Sequence, residues 1–200
     1  LQIKSGILQQ PKFDSSVMLV ICGSVNAYSL AQVKHAERNG FDGITLTPRQ
    51  KLDENYVDTD EGKEFINSIL YKLARGKNII IKNINDLSDV SECNSFAEKM
   101  GIDKGHIPAL IAKNVATLAA EVINRSIVEN LVVFGGDTAV AVMDKMQCSG
   151  IVPINEIFPG IPVYETNIKG RIIKLITKAG GFGGEDALVK IRNYVKERCL

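Results

Sequence analysis

Three short segments combine glycine, hydroxyl groups and charge in a way that suits anion binding: "CGSVNAYS" (22–29), "FGGDTAVA" (134–141) and "KAGGFGGEDA" (178–187). Each follows an apolar run and precedes a stretch with helical spacing. A turn of this kind that opens a helix presents backbone N–H groups without intrahelical partners and the positive end of the helix dipole. Its glycines let a phosphate oxygen come close to the main chain.

In the first segment Gly23 allows a sharp turn, and Ser24 can donate its hydroxyl to a phosphate oxygen or cap the next helix. In the second, Gly135 and Gly136 leave room for a ligand at a strand end. Thr138 can hold a phosphate there, while Asp137 can hold a ribose hydroxyl, orient a metal through water, or cap the helix. In the third, Gly180 and Gly181 admit close backbone approach and Lys178 supplies a cation at the strand end. Gly183 and Gly184 serve the turn into the last helix, where Glu185 and Asp186 complement the dipole. A plain turn or cap explains any one of these segments as readily as a ligand does. Three of them in one sheet favour the ligand, because their strands can converge on one rim. None fits the P-loop pattern, and the absence of GxGxxG argues against a dinucleotide-binding oxidoreductase.

The remaining polar inventory is less informative. His35 and His106 lack partners at metal-ligand spacing, so solvated or capping roles are expected and no protein-built metal site is predicted. Cys22, Cys93, Cys148 and Cys199 are far apart without CxxC spacing, and they read as reduced structural thiols of a cytoplasmic protein. The acidic "DENYVDTDEGKE" (53–64) lacks EF-hand spacing and reads as a solvated loop and helix start.

The elements that must position the glycine turns follow from periodicity. "VMLVIC", "GITLT", "NIIIKN", "NLVVFGG", "GIPVYETN" and "IIKLITK" read as strands. Helices are predicted over Ala27 to Arg38, near Glu61 to Arg75, in two pieces between Ser88 and Ile127 with a break at Gly101 to Pro108, over Asp137 to Cys148, and over Glu185 to Arg198. Strands alternating with helices predict an α/β layered fold with a mainly parallel sheet flanked by helices. The hairpin-like spacing of the last two strands allows an antiparallel edge. Residues 1–16 lack a sustained period and are broken by Gly6 and Pro11, so they read as a lead-in or linker remnant before a single domain at 17–200.

Composition bounds the function. Among 200 residues, 24 Lys and Arg balance 23 Asp and Glu, so no broad basic field exists for nucleic acid or an anionic membrane, and any anion site must be local. No apolar run approaches the roughly 20 residues of a membrane span, and the N-terminus lacks the layout of a signal peptide. The chain opens on Leu1 rather than Met, which points to a piece of a longer protein.

Taken together, "VICGSVNAYSLAQVKHAERNGFDGITLTP", "VVFGGDTAVAVMDKM", "EIFPGIPVYETN" and "LITKAGGFGGEDAL" resemble the C-terminal, nucleotide-binding domain of the four-carbon acid sugar kinase family. The resemblance covers nearly all of Val17 to Arg198. It places the family's Gly-Ser turn on Gly23 and Ser24, and its nucleotide motif on Gly135, Gly136, Asp137 and Thr138. The closing Lys-Ala-Gly segment falls on Lys178, Ala179, Gly180, Gly181, Phe182 and Gly183. It implies ATP and Mg²⁺ as ligands and phosphorylation of acids such as 3-oxotetronate, threonate or erythronate. The sugar acid and the catalytic acidic residue are expected in an upstream domain absent from this chain, which by itself is expected to be inactive. A homo-oligomer is compatible with this reading. A non-catalytic nucleotide-sensing or interaction module with the same fold is the alternative.

Overall fold

The computed structural model describes residues 15–198. Residues 1–14 of the expected lead-in, and Cys199, lie outside the described residues. The chain runs β1 (Met18–Cys22), α1 (Ala27–Arg38), β2 (Phe41–Thr45), α2 (Pro48–Leu52), α3 (Asp60–Ala74), β3 (Asn78–Lys82), α4 (Ser88–Lys99), α5 (Ile107–Arg125), β4 (Asn130–Phe134), α6 (Gly136–Lys145), β5 (Ser149–Glu156), β6 (Pro162–Ile168), β7 (Arg171–Lys178) and α7 (Ala187–Glu197). Single 3₁₀ turns at Tyr56–Asp58 and Lys104–His106 precede α3 and α5.

One seven-stranded sheet has the order β2-β3-β1-β4-β7-β6-β5. Its first five strands are parallel, and β6 and β5 continue it antiparallel. The central strands β1 and β4 are buried along their whole length, as continuous apolar strands covered on both faces should be. On one face Met18 and Val20 pack with Val33 and Ala36 of α1 and with Leu188, Ile191 and Val195 of α7. On the other, Leu19 and Ile21 meet α3, α5 and α6 through Ile66, Ile69, Val115, Leu118 and Val142. Helix α5 is long and apolar enough to cross a membrane by length and composition, but its Val115, Leu118, Ala119 and Val122 are buried against the sheet.

The α/β layered architecture with a mainly parallel sheet and an antiparallel edge is as the sequence predicted; three elements differ. Strand β5 escaped the sequence reading because it is an edge strand, exposed along nearly its whole length, interrupted by Pro153 and by two irregularities in its pairing with β6. The helix expected to reach Cys148 stops at Lys145, and Gln147 then turns at φ +52° into β5. The short helix α2 was also missed. Pro48 occupies the first turn of α2, and Thr47 and Gln50 form a reciprocal capping box.

Candidate functional site

The three glycine turns meet at one rim because β1, β4 and β7 are neighbours in the sheet. Cys22, Phe134 and Lys178 end these strands in one register row. Two further hydrogen bonds extend the ladder into the turns, from Gly23 N to the Phe134 carbonyl at 3.0 Å and from Gly135 N to the Lys178 carbonyl at 3.1 Å. From the paired strands β1 and β4 the chain departs to opposite faces, into α1 and α6. That divergence opens a crevice at the carboxyl ends of the strands, the place where open α/β sheets bind ligands.

In the first turn, Asn26 is the helix cap, with Oδ1 accepting from Ser29 N at 2.8 Å. The capping role considered for Ser24 is therefore corrected: the half-buried hydroxyl accepts only a long 3.5 Å bond from Asn26 N. Gly23 is required by packing, since a Cβ there would lie 1.8 Å from Thr138 Oγ1.

In the second turn, Gly135 takes the cap position of α6 at φ +108°, a conformation that penalises any side chain. No side chain caps this helix, so the capping role considered for Asp137 is corrected as well. Asp137 is the second helical residue and is exposed, whereas Thr138 is buried against Gly23. The N-terminus of α6 thus presents backbone N–H groups at a glycine-lined opening.

In the third turn Lys178 is 2% exposed. Its Nζ donates to the Gly180 carbonyl at 2.6 Å and lies 4.5 Å from the centre of the Phe134 ring. Burial lowers its pKa below the ordinary lysine value, an effect the nearby Cys22 opposes. Cys22 is buried beside it, and desolvation raises its thiol from 9.0 to about 11. Such a thiol is a protonated core group. The sequence placed Lys178 over the ligand space; in the structure its ammonium shapes the loop. Gly181 has nothing within 4 Å of its Cβ direction, and Gly180 has only the Asn26 amide, at 3.9 Å. By contrast Gly183 has φ +78° and packs on Phe158, Ile161 and Ala187, while Gln32 Nε2 lies 3.0 Å from the carbonyls of Phe182, Gly183 and Gly184. The segment "FPGIP" therefore supports the loop from behind, with Gly160 under the Phe182 ring.

The start of α6 separates two clefts. One, of about 340 Å³, is lined by Gly135, Gly136, Ala139, Met143, Tyr164 and Lys178. The other, of about 380 Å³, lies between the ends of β1 and β3 and helices α4 and α5, and its lining includes Asp137, Thr138, Lys51 and Asn83. Sequence reasoning missed Lys51 and Asn83. The signal for Lys51 was the capping box "TPRQ" (47–50), which announces the helix that carries it; Asn83 follows a strand just as Gly23 and Gly135 do. Among the described residues, no group of three or more His, Cys, Asp or Glu could hold a metal ion.

The family model described as "Nucleotide-binding C-terminal domain" matches residues 19–188. A D-threonate kinase of Salmonella typhimurium is 23% identical over 90% of this chain and 43% of its own length. A D-erythronate kinase of Heliobacterium modesticaldum is 25% identical over 94% of this chain and 44% of its own. The chain thus spans less than half the length of these curated relatives. A crystal structure from Bordetella bronchiseptica, a protein of a domain family of unknown function solved with bound citrate as a domain-swapped dimer, superposes with a TM-score of 0.68. It shares 22% identity over 90% of this chain and 41% of its own. The chain belongs to the nucleotide-binding C-terminal domain family, the family of the C-terminal domain of four-carbon acid sugar kinases.

Proposed function

We propose that this domain binds ATP for a kinase that phosphorylates a four-carbon sugar acid of the 3-oxotetronate, threonate or erythronate type. The sugar acid and the catalytic acidic residue would come from a domain outside this chain. The observation that carries the reading is the row of three turns at the ends of β1, β4 and β7, set where the chain leaves β1 and β4 for opposite faces.

Phosphoryl transfer relies on positioning and charge stabilisation. The backbone N–H groups of Gly135, Gly136 and Asp137 would hold phosphate oxygens at the start of α6, and the Ser24 hydroxyl would donate to them from the first turn. Gly180 and Gly181 would let the nucleotide lie close to the main chain, and Lys178 would offset charge from inside the cleft. Met143 and Tyr164 give that cleft the apolar surface a base requires. Mg²⁺ is usually bound through one or two carboxylates together with substrate phosphates. The exposed Asp137 carboxylate fits that need, and the ion would supply charge neutralisation at the phosphates. The reading extends to a cytoplasmic homo-oligomer, supported by the domain-swapped dimer of the Bordetella protein.

Calorimetric titration of the chain with ATP and Mg²⁺ tests the proposal. Saturable binding is expected, and no heat at millimolar nucleotide would refute it. Joined to a sugar-acid domain, the chain is expected to transfer phosphate from ATP to one of the four-carbon acids.

A further inference from the structure

The cavity on the far side of α6 contains a buried charge that the nucleotide reading leaves without a task. Lys51 is 1% exposed, and its Nζ donates to the Asn83 carbonyl at 3.0 Å. An ammonium group has three donors, and Lys51 joins none of the ion pairs among the described residues. Its helix is fixed in place: Asn114 of α5 donates to the Lys51 carbonyl at 3.0 Å, and Leu52 packs with Cys93, Ala97 and Ile107. The lysine is thus held inside rather than folded in from solvent.

Asn83 adds a second, independent observation. It is 7% exposed and anchored by its backbone N–H to the Cys22 carbonyl at 3.1 Å and by Nδ2 to the Gly23 carbonyl at 3.3 Å. Its Oδ1 is buried and has no hydrogen-bond partner among the described residues. A buried acceptor without a donor is costly, and so is a buried cation without an anion. Both line one cavity of about 380 Å³, whose other walls include Val25, Ile84, Val90, Ile107 and Ile111. A few convergent polar groups in an apolar chamber form the usual composition of a small-molecule site.

We propose that this cavity is an oxyanion subsite. Lys51 pairs with a carboxylate or phosphate group, and Asn83 Oδ1 accepts from a hydroxyl on the same ligand. The matching ligand class is a small hydroxylated anion. Two sources share that chemistry: the phosphate end of a nucleotide reaching past Asp137 and Thr138, or a separate hydroxy acid. The assignment stands on Lys51 and Asn83 and does not need the nucleotide reading.

The test uses the whole chain, isotopically labelled, titrated separately with inorganic phosphate, with D-erythronate and with ATP, while the NMR signals of Lys51 Nζ and the Asn83 side-chain amide are followed. At least one probe is expected to move both signals, and Lys51→Met is expected to weaken that binding by about tenfold or more, the size of a lost bond to a charged group. Saturation by ATP alone identifies a nucleotide phosphate as the occupant, and saturation by D-erythronate a separate hydroxy acid. Should Lys51→Met fail to fold, Asn83→Asp serves in its place: it gives up the bond from Nδ2 to the Gly23 carbonyl and sets a carboxylate in the cavity near Lys51, so it is expected to exclude the anionic probes. The proposal is overturned if no probe moves either signal, or if the variants bind as the wild type does. ATP shifts confined to Gly135–Thr138 and Gly180–Gly181 would overturn it while leaving the nucleotide reading intact. Phosphate or D-erythronate shifts at Lys51 without any ATP binding would do the reverse.

Discussion

A Cβ added to Gly23 would lie 1.8 Å from Thr138 Oγ1, whereas one added to Gly181 would meet nothing within 4 Å. Both glycines follow parallel strands of one sheet and look alike in sequence, yet one is needed by the protein and the other leaves space for a ligand. The first turn is wedged between β1 and α6, so Gly23 permits a close approach of two parts of the chain. The third turn is tied down on its far side, through Gln32 and the packing of Gly183, and open on its near side. A glycine-rich segment thus divides into positions that build the rim and positions that stand open beside it.

Substitutions at the two positions should separate sharply. Gly23→Val drives a branched side chain into Thr138 and is expected to cost about 3 kcal/mol of stability in urea unfolding. A near-neutral result would show that Thr138 moves aside and that the first turn is as open as the third. Gly181→Val is expected to change stability by less than about 0.5 kcal/mol, while lowering ATP affinity about a hundredfold, the size of one or two lost contacts to charged groups. Equal losses of fold and affinity would erase the distinction.

Two side chains just before these turns extend the comparison to pH. The unfolded Cys22 thiol ionises around 9.0, but burial holds the folded thiol protonated up to about 11. The folded state therefore keeps a proton that the unfolded chain releases, and this group makes stability fall as pH rises between those values, by up to about 2 kcal/mol. Lys178 acts in the opposite sense: its lowered pKa means that the unfolded chain holds more protons just below the lysine model value of 10.5, so its contribution to stability rises with pH there. Cys22→Ala is expected to cost about 1 kcal/mol at neutral pH through the small cavity and to make the alkaline fall shallower, leaving the share of Cys93 and Cys148, whose thiols burial also raises, and the opposing rise from Lys178. Chemical unfolding across that pH range checks both slopes.

The helix starts give the smallest effects. Asn26→Ala removes the bond to Ser29 N and is expected to cost about 1 kcal/mol. Asp137→Ala removes no cap and is expected to cost less than about 0.5 kcal/mol. A larger loss at Asp137 would restore a structural role to that carboxylate.

The sequence made the rim legible because apolar runs ending in glycine mark buried parallel strands and their turns, and β1, β4 and β7 all have that form. What it hid was depth. "SGIVPINE" forms an edge strand whose exposure erases alternation, so β5 carried no periodic signal. Lys51 looks like a surface residue, and only its place on a capped five-residue helix packed on α4 and α5 buries it. Ser24 and Asp137 were reasonable caps by residue type, but the cap positions fall on Asn26 and Gly135, each two residues from where the hydroxyl or carboxylate sits.

The most direct test of the nucleotide rim is residue-resolved NMR mapping of the chain titrated with ATP and Mg²⁺. The largest amide shifts are expected at Ser24, from Gly135 to Thr138, and at Gly180 and Gly181. Absence of binding, or shifts confined to the β5–β6 edge with these amides unmoved, would contradict the account.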